Sequence, residues 1–230
     1  MSWNESSFVA ADVRDVRVTS FLSKVYGWMF LGLLFTAGTA VVVASSPTLV
    51  ETLVPIRWIL LLAQLGVVFY LSARVDKVSP ITAAVLFMLY SGMVGITLSI
   101  IFLIYTGASI VSAFVIAGGM FGTMAVFGSL TKRSLAGVGQ FMLMGLVGLI
   151  IAMVVSIFWF NDMLMFVINV VGVLVFTGLT AWDAQRLKQM AVALPDGRVG
   201  SYAVVGALSL YLDFINLFLF ILRLMGGRRN

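Results

Sequence analysis

The chain reads as an all-α polytopic membrane protein with seven transmembrane helices. Of its 230 residues, 62% are hydrophobic and 10% charged, more apolar surface than a water-soluble domain of this length can hide. The apolar residues gather into seven segments of membrane-crossing length, since about 20 residues at ~1.5 Å each span a ~30 Å hydrocarbon layer. No soluble-domain linker or low-complexity tract divides them, so residues 24–230 are expected to form a single transmembrane domain.

Residues 1–23 are polar and mixed in charge, with no apolar run leading to a small-residue cleavage site. They are expected to be a cytosolic tail and not a signal peptide. The segments follow at about 26–45, 56–73, 81–105, 108–130, 138–160, 163–182 and 202–224. The third and fourth are separated only by Tyr105-Thr106-Gly107, and the fifth and sixth only by Phe160-Asn161-Asp162, as in antiparallel hairpins. The Pro195-Asp196-Gly197 turn lies between the sixth and seventh. Small residues in Ala117-Gly118-Gly119-Met120-Phe121-Gly122, and the pair Gly148 and Ala152, are read as helix-packing surfaces.

Basic residues orient the chain. Arg14, Arg17, Lys24, Arg74, Lys77, Lys132, Arg133, Arg186, Lys188 and Arg198 all fall on one side of such an arrangement. The positive-inside rule places that side, with the N-terminus, in the cytosol. Arg228 and Arg229 fall on the opposite side if the seventh segment spans, and a re-entrant segment would return them. Its full length and lack of a central breaker favour seven spans. The net charge of +5 is then an orientation signal and not a nucleic-acid footprint.

The missing residues exclude chemistry. Without Cys or His there is no thiol nucleophile, iron–sulfur cluster, zinc-protease motif or Ser-His dyad. All four lysines lie outside the apolar cores, which excludes a retinal Schiff base. No enzymatic activity and no cofactor are expected.

Asp213 lies within an otherwise apolar span. A carboxylate at membrane depth costs at least ~2.5–3.5 kcal/mol and needs a partner, a proton or water. Tyr202, Gly206, Ser209, Asp213, Asn216, Phe220 and Arg223 recur at helical spacing and form one stripe on the seventh segment. The sixth segment carries Asn169, Gly172, Phe176, Thr180 and Asp183 on a weaker stripe, and the second offers Arg57, Gln64 and Arg74. Trp182-Asp183 also reads as an interfacial belt followed by a loop. Asp183 and Asp213 meet only if the sixth helix ends deep or a cytosolic vestibule dips inward; in contact, they would share a proton. Arg74 would latch the ionised pair. Arg223 would close the far end with Gln64 or Asn216.

The motif from Leu208 to Phe218, Leu-Ser-Leu-Tyr-Leu-Asp-Phe-Ile-Asn-Leu-Phe, followed by Leu222-Arg223, resembles the C-terminal signature of the transmembrane Bax-inhibitor-motif (Bax inhibitor-1) family. Val25-Tyr26-Gly27-Trp28-Met29, Gly95-Ile96-Thr97-Leu98-Ser99, Tyr105-Thr106-Gly107, Phe121-Gly122 leading to Thr131-Lys132-Arg133, and Thr180-Ala181-Trp182-Asp183-Ala184-Gln185 agree with it, Trp182 standing where Tyr is more usual. The resemblance implies a bacterial-type member with the seventh helix central and wrapped by two three-helix layers. It implies a pH-sensitive calcium leak gated by Asp183 and Asp213, with Arg74 the matching latch. An acidic residue that pairs toward Arg223 in the family stands here as Gln64.

The function expected is a passive, pH-sensitive calcium leak in a bacterial inner membrane, with calcium as permeant ion held weakly and transiently by Asp183 and Asp213, and Ser209 and Asn216 lining the path. The expected partners are the bilayer, calcium and protons. A non-conducting regulator of a membrane-bound ATP-dependent protease, contacting it through the tail, is the alternative. An active transporter is disfavoured, since no inverted repeat with paired helix breaks is visible.

Overall fold

The computed structural model describes the backbone of residues 3–53 and 55–227, and the side chains of 15–53, 55–195 and 197–227. Its helices are α1 (Trp3–Ala44), α2 (Pro47–Leu53), α3 (Arg57–Arg74), α4 (Pro80–Ile104), α5 (Gly107–Leu130), α6 (Ala136–Phe158), α7 (Asp162–Ala193) and α8 (Val199–Met225), with one 3-10 turn at Asp196–Arg198. There is no strand among the described residues. Seven of the helices, all but α2, are long and apolar enough to cross a membrane, so this is a multi-pass membrane protein. Arg228 and Arg229 lie outside the described residues.

Two helices extend well past the expected segments. From Trp3 to Tyr26 neither proline nor glycine interrupts the chain, so the helix takes in most of the stretch read as a tail. The sixth segment, expected to end at 182, continues as α7 to Ala193 and stops before Pro195, because the residue preceding a proline is driven out of the α region. Short caps make the tight hairpins. Thr106 accepts from Ser109 N at the start of α5, and Asn161 accepts from Met163 N and Leu164 N at the start of α7.

α8 is the axis. Its most apolar window is 72% buried, against at most 39% for any other span. On one side it meets α1 and α4, with α3 packed on α4; on the other it meets α5 and α7, with α6 resting on α7. The last helix is therefore central between two groups of three.

Fully buried Tyr211 fixes α8 to the first group. Thr36 Oγ1 donates to Ser91 O (2.9 Å), which commits its only proton, so Tyr211 OH is the donor in its 2.7 Å bond to Thr36. The Tyr211 ring stands edge-on to Phe87 and Tyr90, with centroids 5.6 and 5.8 Å away.

Small residues allow the closest approaches, but at other positions than expected. A Cβ on Gly118, Gly119, Gly122 or Gly148 would meet nothing within 4 Å. The buried stripe of α5 is instead Ala113, Ala117, Phe121, Ala125 and Gly128. A Cβ on Gly128 would strike the Ala181 carbonyl of α7, and one on Gly139 of α6 the Trp182 ring. The Gly-xxx-Gly spacing was legible, but it lies off the packed face.

Candidate functional site

The α7–α8 hairpin sets the depth of the polar residues. Asp183 lies ten residues before the end of α7, and Ser209 ten residues after the start of α8. Both are thus ~15 Å from the connecting turn, at ~1.5 Å per residue. The two stripes meet at this level, and Ser209 Oγ donates to Asp183 Oδ2. Asp213 is one helical turn deeper on α8. Asp183 reaches this depth because α7 continues past it, so it is an interior helical residue and not the last residue before a loop.

Both carboxyls are only 5% exposed and both line one cavity of about 530 Å³. Ser209, Asn216, Arg186 and Arg223 line it too, and Leu65 of α3, Leu146 and Met153 of α6 and Phe176 of α7 supply apolar wall. Asp213 Oδ2 is buried with no hydrogen-bond partner among the described residues. Such a group is costly to leave unmatched in an apolar interior.

Arg186, and not Arg74, stands at the aspartates. Its Nη2 is 3.3 Å from Asp183 Oδ1 and 3.5 Å from Ser209 Oγ, and its guanidinium lies over the Trp182 ring, 4.9 Å from the centroid. Residues three apart on one helix are neighbours. The expected latch, Arg74, lies at the end of α3, over the Tyr70 ring at 6.0 Å. It forms no ion pair with either aspartate among the described residues. The physical reason is position: α3 packs chiefly on α4 and only its edge reaches α8.

At the far end the expected contacts also differ. Gln64, buried, donates to Thr97 Oγ1 at 2.9 Å, and Asn216 Nδ2 donates to Leu212 O at 2.8 Å. Neither meets Arg223, whose guanidinium lies 5.7 Å from the Phe220 ring centroid. Arg223 borders two spaces: the central cavity and a second one of about 330 Å³ lined by Tyr105, Asp162 and Asn169. A third, of about 350 Å³ and lined by Ser72 and Tyr202, shares Arg186, Ser209 and Leu212 with the central cavity. Three spaces thus follow one another along the α8 stripe.

Two residues carry more than the sequence reading assigned them. Arg186, one of the basic residues that orient the chain, also stands beside Asp183, because α7 continues and residues three apart on one helix are neighbours. Buried Gln185 spans the α5–α6 loop, accepting from Leu135 N (2.7 Å) and donating to Arg133 O (2.9 Å). Among the described residues, no three acidic, His or Cys side chains cluster as a metal cage.

The chain is 45% identical over 216 residues to the inner membrane protein YbhL of Escherichia coli (strain K12), covering 91% of this chain and 92% of that protein. It is 43% identical over 215 residues to a protein of Borreliella burgdorferi, with 91% and 93% covered. A Deinococcus radiodurans protein is 38% identical over 213 residues, with 92% of each covered. Residues 18–230 match the family described as "Inhibitor of apoptosis-promoting Bax1". With that match running through all seven spans, and the Asp213 motif at the centre of the bundle, the chain belongs to the Bax inhibitor-1 family.

Proposed function

We propose that the Asp183–Asp213 cavity is the middle of a passive, pH-modulated cation pathway, with calcium the favoured ion. The observation that carries this is the pair of carboxyls, each 5% exposed, facing one cavity on the central helix, with Asp213 Oδ2 unmatched. Carboxylates held at membrane depth are functional groups by default. Calcium takes several hard oxygen ligands. Asp183, Asp213, Ser209 and the oxygen of Asn216, whose Nδ2 is committed to Leu212, offer a small and incomplete set. A weak, transient site suits conduction, which requires that the ion can leave.

Protons act through Arg186. With Asp183 ionised, Arg186 and Ser209 hold it and close the neck between the central cavity and the space around Ser72 and Tyr202. As pH falls and the pair takes up a proton, the attraction for Arg186 weakens and the guanidinium is free to leave over Trp182. Arg223 is the cationic residue at the other neck. We place the protein in a bacterial inner membrane, as the name of the Escherichia coli relative suggests, with its basic loops and N-terminus in the cytosol.

The test is purified protein in liposomes loaded with a calcium dye. Calcium entry above empty vesicles that changes over about pH 6 to 8 is expected; no entry at any pH would sink the idea. The length of α1 supports a second reading. Its 42 residues extend ~63 Å, about twice a bilayer's hydrocarbon thickness, and the excess offers a helical surface for a partner such as a membrane-bound ATP-dependent protease. A truncation of the first 14 residues that abolishes a cellular effect yet leaves liposome flux intact would favour that regulator.

A further inference from the structure

A separate polar cavity, of about 470 Å³, lies between α1, the α5–α6 loop and the last turns of α7. Lys132, Arg133 and Lys188 line it, with Asp15 the one acid among the described residues, and Ser134 and Gln189 add hydrogen-bonding groups. It has no part in the aspartate site and opens at the end of the bundle where the basic loops gather.

The cavity is built and not merely charged. Gln185 pins the loop backbone on both sides, at Arg133 O and Leu135 N. Thr131 Oγ1 accepts from Arg133 N at 3.4 Å and Ser134 Oγ from Ala136 N at 3.3 Å, closing the loop on itself. Lys188 Nζ is held at the end of α5 by Ser129 O, 2.7 Å away. None of the three cations pairs with an acid among the described residues, and the described lining carries three positive charges against one negative. Asp15 offsets one of them at most.

We propose that this cavity binds a phosphate group, that of an anionic lipid headgroup. A phosphodiester offers anionic acceptor oxygens to ammonium and guanidinium donors. The depth agrees, because the cavity lies at the loop where α5 ends, at Leu130, and α6 begins, at Ala136, so it lies where headgroups lie. Basic pockets between transmembrane helices on the cytoplasmic side suit such headgroups. A small soluble phosphate ester shares the chemistry but not the reason for the depth.

The full-length protein, delipidated in detergent, is incubated with equal amounts of phosphatidylglycerol and phosphatidylcholine of matched acyl chains, and retained lipid is counted by native mass spectrometry. Preferential retention of phosphatidylglycerol is expected. Lys132→Gln/Arg133→Gln should lower it roughly tenfold, since each basic residue near an anionic surface contributes measurably. Neither side chain makes a hydrogen bond or ion pair among the described residues, so the variant should keep its fold, checked by its melting temperature. Lys24→Gln/Lys77→Gln, outside the cavity, should change nothing. Displacement of the lipid by millimolar glycerol 1-phosphate would assign the site to a soluble phosphate ester; no displacement assigns it to lipid. Equal retention of the two lipids by the wild type, or equal loss in both double variants, would overturn the site.

Discussion

Ser209 donates its hydroxyl proton to Asp183 Oδ2, and this bond sets the register of α7 against α8. It leaves Asp213, one turn further along α8, facing the same cavity with one oxygen unmatched. The two acids are not duplicates. Among the described residues Asp183 has a hydroxyl and a guanidinium, and Asp213 has neither.

Asp213→Asn is expected to flatten the pH dependence of calcium entry, and Asp183→Asn to do so to a similar extent, because coupled carboxyls titrate as a pair. Initial flux into dye-loaded liposomes across roughly pH 6 to 8 reads both. An unchanged profile in Asp183→Asn alone would leave Asp213 as a solitary sensor.

Arg186 and Arg74 make competing latches. Arg186→Gln is expected to raise the leak at the upper end of the pH range, where the ion pair with Asp183 is formed, and to lower stability by about 1 kcal/mol. That figure is kept small because the Arg186 side chain is 43% exposed. Arg74→Gln is expected to leave both within experimental scatter. The reverse ranking in the flux assay would return the latch to α3.

Glycines at the α7 contacts differ in what a side chain would strike. Gly128→Ala forces a methyl against the Ala181 carbonyl, which is helix backbone and cannot yield, so about 2–3 kcal/mol of destabilisation is expected. Gly139→Ala meets the Trp182 ring, a side chain that can turn, and about 1 kcal/mol is expected. Melting temperatures in one detergent give the order.

Gln185→Leu is expected to cost about 1–3 kcal/mol, because Leu135 N–H and Arg133 C=O both lose a buried partner. Gln185→Glu keeps the acceptor for Leu135 and should fall between. Thermal unfolding with proteolysis at Lys132 and Arg133 as the second readout separates a loosened loop from a global loss.

Much of this was legible in the residues. Apolar segments of membrane-crossing length give the seven spans, and the 3,4 spacing from Tyr202 to Arg223 gives the stripe of the central helix, of which Ser209 to Arg223 border the cavity. The three-residue connections at Tyr105–Gly107 and Phe160–Asp162 give the hairpins, whose Thr106 and Asn161 caps the structure adds. What was not legible depended on where helices stop and which face meets which neighbour. The end of α7 was placed at Trp182 because apolarity falls there, yet helix geometry tolerates the polar run to Ala193. That single shift places Asp183 inside the helix and brings Arg186 beside it; Arg74 stands apart for a separate reason, the packing of α3 on α4. The glycines of α5 illustrate the second limit, since spacing alone does not say which of two adjacent faces is packed.

Because the central helix is the last of the seven along the chain, the bundle cannot reach its native packing during most of its synthesis. Helices α1, α4, α5 and α7 enter the bilayer with the faces that will clasp α8 turned to lipid, and Thr36 must wait for the hydroxyl of Tyr211. A ribosome stalled before Val199 would therefore hold α1–α4 and α5–α7 joined by the contact of α1 with α7 and by the short α4–α5 turn, with the helix that fills the space between them still missing. Quality control at the insertion machinery has one clear event to monitor in this protein: the arrival of an acidic, stripe-bearing helix that tolerates lipid poorly and completes everything around it.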